Sequence, residues 1–186
     1  NKPDGNPEKL SKYSPKYARI MERLLRDRGS KEKGLKFIYT EYKTCEGVGI
    51  ISLVLRANGY SPFKIKKDEF GEWELDFDYK NDKLPKFAVW SGDDESDIIL
   101  KIYNDKFDEL PDKIRRQVET INSSNRRGQV LEILMTTKQG AEGLNTRNVR
   151  QLHVVEPYWN PVRLDQVIGR AVRINSHMEL PKKDRN

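Results

Sequence analysis

Short apolar runs alternate with longer polar stretches along this chain, and their spacing predicts its elements. Leu35 to Thr40 (LKFIYT), Phe87 to Trp90 (FAVW), Val130 to Met135 and Gln151 to Val155 have strand length and end in polar or glycine-containing turns. Between them, apolar residues recur at helical spacing. Tyr17, Ile20, Leu24 and Leu25 do so, with Met21 beside them, after Ser14-Pro15. There Ser can cap and Pro tolerates the first helical position, while Gly29 supplies a stop. A second helix is expected from about Glu46 to Ala57, closed by Asn58-Gly59. Ile98, Ile99, Ile102, Tyr103 and Phe107 form one apolar stripe; Pro111 interrupts, and Ile114 to Ile121 adds another helix. Strand, short polar loop and helix repeat, which predicts an α/β domain with a mainly parallel sheet of about four core strands. Ligands of such sheets gather at the C-terminal ends of the strands.

Charge divides the chain into three. Residues 1–66 carry 15 Lys/Arg against 7 Asp/Glu, residues 67–112 carry 6 against 15, and residues 126–186 carry 11 against 6. Basic flanks suit a polyanionic partner, and the acidic middle should lie away from it. Residues 60–86 mix acids with Phe63, Phe70, Trp73, Phe77 and Tyr79. They read as an insertion, either a solvated decoration or a protein-binding surface. Alternation of acid and apolar residues from Glu72 to Asp78 predicts a hairpin with one buried face. Asp94-Glu95-Ser96-Asp97 spells DExD, the form of a motor's Mg²⁺ box. No G-x-x-x-x-G-K-[ST] loop occurs in the chain. Helix capping is therefore the better use of these acids.

The stretch Ile133 to His177 carries the chemistry. After its first strand come Thr136, Thr137 and a glycine-punctuated turn, Lys138 to Asn145; after its second come Asn160-Pro161 and a helix. At about 100° per residue, Gln166, Arg170 and Arg173 fall within roughly 60° of each other, opposite Leu164, Ile168, Ala171 and Val172. Two guanidiniums one turn apart beside the small Gly169 form either a phosphate clamp or the solvated face of an amphipathic helix.

These motifs resemble those of superfamily 2 helicases. Gln166-x-x-Gly169-Arg170-x-x-Arg173 is similar to motif VI, and Thr136 to Asn145 (TTKQGAEGLN) to motif V. Trp159-Asn160-Pro161 is similar to the Swi/Snf-type remodelling ATPases and to helicase-like ATPases of large cytoplasmic DNA viruses. The resemblance covers about residues 14–177. It implies the second, C-terminal RecA-like lobe of a two-lobe motor, with residues 1–13 a linker, 60–86 an inserted acidic hairpin or loop, and 178–186 a tail. ATP with Mg²⁺ would then sit between lobes, the Mg²⁺ ligands coming from the other lobe. Arg170 and Arg173 would be the arginine fingers. Gln166 would face the γ-phosphate or its water, with Gly143 and Asn145 shaping the turn near the nucleotide. Thr40, Lys43, Ser91, Gly92, Thr136, Thr137 and Lys138 would lie along bound DNA or RNA. The Ser91 and Gly92 N–H groups would approach a phosphodiester. Lys138 and Glu142 depart from the remodeller form of motif V and favour the viral or general helicase branch. A transcription role follows only by analogy with the viral relatives.

The resemblance thus implies the motor lobe of a nucleic-acid-dependent ATPase, inactive without its first lobe. The other reading is a solitary lobe that binds nucleic acid or protein without catalysis. An unrelated Rossmann-type enzyme is disfavoured because no G-x-G-x-x-G occurs. A single cysteine, Cys45, precludes an internal disulfide and fits a reducing, intracellular setting such as the cytoplasm. Cys45 itself reads as helix-start packing, since no His/Asp partner lies near it in sequence. No run approaches the roughly 18 apolar residues that span a membrane.

Overall fold

A computed structural model of the chain describes residues 7–26, 28, 33–43, 47–138, 140, 144–156 and 168–169. Strand β1 (Leu35–Thr40) is buried at all six positions. It lies between β6 (Ile133–Thr137) and β7 (Val149–Val154), and both pairings are parallel. Beyond β6 lies β5 (Lys86–Trp90), and beyond that β2 (Ser61–Pro62), giving the order β2-β5-β6-β1-β7. Strands buried on both faces read as continuous apolar runs, as LKFIYT does.

Alternate side chains feed two layers. Phe37, Tyr39, Ala88, Trp90 and Leu134 pack under α4 (Asp94–Tyr103) and α5 (Asp112–Ile121) with Ile99, Ile102, Ile114 and Val118. Ile38, Phe87, Ile133 and Met135 pack on the other side with Met21 and Leu24 of α2 (Pro15–Arg26) and Ile51 and Leu55 of α3 (Val48–Ala57). A mainly parallel sheet flanked by helices is the architecture expected of a RecA-like lobe.

The structure departs from the expected elements in four places. A fifth strand, β2, opens the stretch read as an insertion; two residues containing a proline carry no strand pattern. The hairpin is offset: β3 (Ile65–Lys67) pairs antiparallel with β4 (Trp73–Leu75). It is no loose decoration, because Phe63, Ile65 and Leu75 enter the core and Leu75 N–H donates to Gln117 Oε1 of α5 at 2.8 Å. Strand β6 begins at Ile133, not Val130. The side chain of Asn125, fully buried, accepts from the Val130 and Leu131 N–H groups at 2.9 Å each, so neither joins a ladder. Finally, Pro7–Ser11 forms a short helix, α1, within the expected lead-in, and Leu10 packs against the α2–α3 layer.

The second residue of β1 is a lysine with no exposed surface. A buried ammonium is tolerated only when paired and hydrogen-bonded. Lys36 Nζ donates to Glu132 Oε1 at 2.8 Å and to the Leu24 carbonyl at 2.6 Å. Glu132 also takes Lys33 at 2.9 Å and the Tyr60 hydroxyl at 3.0 Å. Burial alone would push the Glu132 carboxyl up. The charge and hydrogen bond of Lys36, joined by Lys33, outweigh that and hold it below the usual carboxylate range.

Glu132→Ala removes the carboxylate that neutralises the buried Lys36 ammonium, and should cost about 3–5 kcal/mol in denaturant unfolding. The double variant Lys36→Met/Glu132→Leu should regain most of that loss. Because the folded carboxyl titrates lower than the unfolded one, the pair's contribution is complete above the ordinary Glu range. It should fall away as pH drops through the depressed folded value, and the Glu132→Ala variant should lose that acid-limb dependence.

Candidate functional site

The central strands are parallel, so the C-terminal ends of β1, β5, β6 and β7 share one edge. Thr40 stands opposite Thr137, Trp90 opposite Thr136, and Tyr39 opposite Val154. That register gathers Thr40, Lys43, Ser91, Gly92, Thr136, Thr137 and Lys138 at one edge, though they are scattered along the sequence.

The loop after β1 is fixed by a residue the motifs did not flag. Glu156, just past β7, accepts the Thr40 hydroxyl at 2.7 Å and the Glu41 N–H at 3.1 Å through Oε2. Its Oε1 takes Lys16 of α2 at 3.1 Å. Thr40 is completely buried, so its hydroxyl positions the loop, and Tyr42 and Lys43 are the exposed groups. Gly47 lets the loop close onto α3, since a Cβ there would stand 1.8 Å from the Tyr42 carbonyl oxygen. The one sequence signal for Glu156 is a carboxylate directly following a buried strand.

After β5, Asp93 caps α4 by accepting the Ser96 N–H at 2.8 Å. Hydrogen bonds from Ser96, then from Ser91, hold its carboxyl below the usual range. The Glu95 carboxyl is raised, by partial burial and by Asp93 beside it. The DExD stretch is therefore the first turn of α4, where acids favour the helix dipole, and the capping side chain is Asp93 just before it. The expected approach of the Ser91 N–H to a phosphodiester is not what this geometry offers. That N–H donates to Ser96 Oγ at 3.0 Å, and Ser91 Oγ donates to Asp93 at 2.9 Å. Gly92 sits exposed at φ +89°, a backbone conformation that favours glycine.

After β6, Thr136 is buried and its hydroxyl donates to the Trp90 carbonyl at 3.2 Å. Thr137 is largely buried as a residue, whereas Lys138 is exposed. Gly140 folds back over the strand ends. A Cβ on it would lie 2.5 Å from Thr136 Oγ1 and 2.8 Å from the Trp90 carbonyl oxygen. Asn145 does not join this edge. Its carbonyl accepts Asn104 Nδ2 at 2.8 Å, and Asn104 follows the last residue of α4. Ser91 borders the other end of that helix, about 15 Å away along ten residues at 1.5 Å each. Residue Gly143, the Trp159-Asn160-Pro161 stretch and the trio Gln166, Arg170 and Arg173 lie outside the described residues. Between members of that trio, Ile168 and Gly169 are helical and exposed, with open space where a Gly169 Cβ would stand.

A strand edge of buried threonines, glycine turns and projecting lysines is suited to polyanions. Comparison with known proteins shows what the chain is similar to. Residues 105–175 match the family described as helicase conserved C-terminal domain. Over those residues the chain is similar to helicase C-terminal domains. It is 26% identical over 174 residues to R563, an inferred ATP-dependent RNA helicase of Acanthamoeba polyphaga mimivirus, covering 92% of this chain and 24% of that protein. Against a termination factor NPH-I homolog of African swine fever virus the identity is 29% over 181 residues, with 92% and 24% covered. A homolog from another isolate is 31% identical over 161 residues, with 82% and 22% covered. The chain thus spans about a quarter or less of these relatives. Among solved structures, the C-terminal part of the Fun30 ATPase domain is similar at a TM-score of 0.48 and 16% identity, over 86% of this chain and 37% of that one. Among the described residues, no helix is long and apolar enough to cross a membrane.

Gly140→Ala should force the turn off the Thr136 and Trp90 ends, since neither a strand backbone nor a buried hydroxyl can give way. The expected cost is about 1–3 kcal/mol in thermal or urea unfolding. Ala at the exposed Lys138 should leave the unfolding midpoint nearly unchanged.

Proposed function

We propose that this chain is the C-terminal motor lobe of a nucleic-acid-dependent ATPase. The observation that carries the reading is the convergence of Lys43, Gly92 and Lys138, exposed at one strand edge, in a chain whose residues 105–175 match a helicase C-terminal domain. The lysines supply cationic contacts to a sugar–phosphate backbone, and Gly92 allows close approach to it. The buried threonines hold these loops in place.

In this reading ATP and Mg²⁺ lie between this lobe and a preceding RecA-like lobe, which provides the metal ligands. When bound, ATP supplies the phosphoryl transfer that drives the motor. Arg170 and Arg173 would reach the γ-phosphate oxygens, where fixed guanidiniums stabilise developing charge. Gln166, which the sequence spacing puts on their face of a helix, would orient water. The open surface at Gly169 fits such an approach, because nothing among the described residues crowds it. Opening and closing of the cleft would shift the lysine contacts of this lobe relative to the other. The relatives' names support an ATP-dependent helicase as the intact protein and a viral source; an intracellular setting is part of the same proposal. Alone, this lobe should not turn over ATP.

Two measurements test the reading. Mixed with a separately produced first lobe, the chain should hydrolyse ATP only with DNA or RNA present. Arg170→Ala and Arg173→Ala should each lower turnover by about 10³-fold or more while leaving ATP binding in place. Unchanged turnover in both variants would sink the finger assignment. Nucleic-acid binding without turnover, once lobe association is demonstrated, would favour a non-catalytic binding module. Separately, Lys43→Ala and Lys138→Ala should each weaken binding evenly across sequences and reduce the salt slope by about one.

A further inference from the structure

Beside the strand edge lies a groove that the motor chemistry leaves unused. It is open, encloses about 510 Å³, and runs between the α1–α2 junction, α3 and the loop after β1. Tyr13 and Tyr42 line it from two separate elements. Tyr13 is 88% exposed and Tyr42 50% exposed, unusual for rings that contribute little to the core. Each adjoins an exposed lysine in sequence, Lys12 before Tyr13 and Lys43 after Tyr42. Ile50 and Val54 of α3 form an apolar wall.

The charge around the groove favours an anion. Glu156 lines it, but that carboxylate is neutralised by Lys16 and occupied by the Thr40 hydroxyl and the Glu41 N–H. Along the adjoining α2, Lys16, Arg19, Arg23 and Arg26 face solvent against one acid, Glu22, itself paired with Arg19. Exposed aromatic faces interleaved with cations match a ligand that is both flat and polyanionic. A duplex keeps its base faces covered by stacking, so only an unpaired strand offers them.

We propose that this groove takes a single strand of nucleic acid, with unpaired bases stacked on Tyr13 and Tyr42 and phosphates beside Lys12 and Lys43. Tyr42 and Lys43 belong to the loop at the strand edge, so the groove continues the nucleic-acid path from that edge along the start of α2. The proposal rests on the nucleic-acid reading above and extends it by naming the strand state and its second track.

The test is fluorescence anisotropy of the chain with a labelled oligothymidylate, and with a labelled duplex of equal length, over a range of salt. The single strand should bind more tightly. Tyr13→Ala should weaken that binding by about 5- to 150-fold, the equivalent of 1–3 kcal/mol for one stacked base. Tyr13→Phe should retain it, because the ring is kept. The salt slope should stay unchanged in Tyr13→Ala and fall by about one in Lys12→Ala. Tyr13 is almost wholly exposed, so its variants should unfold like the wild-type chain. Wild-type affinity in both Tyr13→Ala and Tyr42→Ala, or a duplex preference that neither changes, overturns the groove and leaves nucleic-acid binding at the strand edge standing. No binding of either nucleic acid at low salt overturns both.

Discussion

One buried carboxylate sets the frame of this domain. Glu132 lies at the entrance to β6 and holds three strands at once. Its N–H donates to the Lys86 carbonyl of β5 at 3.0 Å, and its carbonyl accepts the Lys36 N–H of β1 at 2.9 Å. Its carboxylate receives Lys36, Lys33 and the Tyr60 hydroxyl that precedes β2. A lysine buried in β1 would be costly anywhere else in that strand; here its ammonium meets Glu132 and the last turn of α2 together. At the other end of β1, Glu156 ties the strand to the exit of β7 and to the start of α2. Strand β1 is thus pinned by a carboxylate at each end, and with it the loop that follows it at the functional edge.

That arrangement divides the edge between residues that hold and residues that reach. Thr40, Thr136, Ser91 and Ser96 have the small polar side chains one would assign to a phosphate, yet their hydroxyls bond neighbouring protein atoms. Gly47 and Gly140 stand where a Cβ would strike backbone. The loops so fixed project Tyr42, Lys43, Gly92 and Lys138. Preorganised loops with exposed cations lose little freedom on meeting a charged partner.

Much of this was legible in the sequence. Continuous apolar runs located the four longer strands, and the Ser14-Pro15 and Asn58-Gly59 signals located helix ends, because those features depend on local chemistry. The DExD stretch was legible as a helix start for the same reason, although the capping side chain is Asp93 before it. What stayed hidden depends on distant partners. Ser61–Pro62 becomes a strand only because β5 offers an edge. Val130 and Leu131 look like strand but are claimed by Asn125. Motif membership put Asn145 at the turn near the nucleotide, and nothing local announces that its carbonyl accepts Asn104 Nδ2 just past α4. Glu156 has no motif to announce it. The groove tyrosines also escaped notice, since a tyrosine at helical spacing or in a short loop is indistinguishable in sequence from a core residue.

The charge blocks of the sequence acquire a geometric meaning across the sheet. The basic α2 lies in one layer, with the Tyr13–Tyr42 groove at its start. The acidic hairpin and α4 lie in the other. Within that second layer, Lys113 of α5 bridges Asp68 at 2.5 Å and Glu74 at 2.7 Å, and Lys66 reaches Asp76 at 3.1 Å. Part of the acidity therefore serves to clamp the hairpin to the domain. The remaining acids, among them Asp94, Glu95 and Asp97 at the start of α4, still face the same edge as Lys138. A polyanion drawn to that edge meets repulsion on the α4 side and attraction on the α2 side, so the field favours a path leading over the loop after β1. The segregation seen along the chain thereby becomes a direction in space, one that runs toward the two tyrosines.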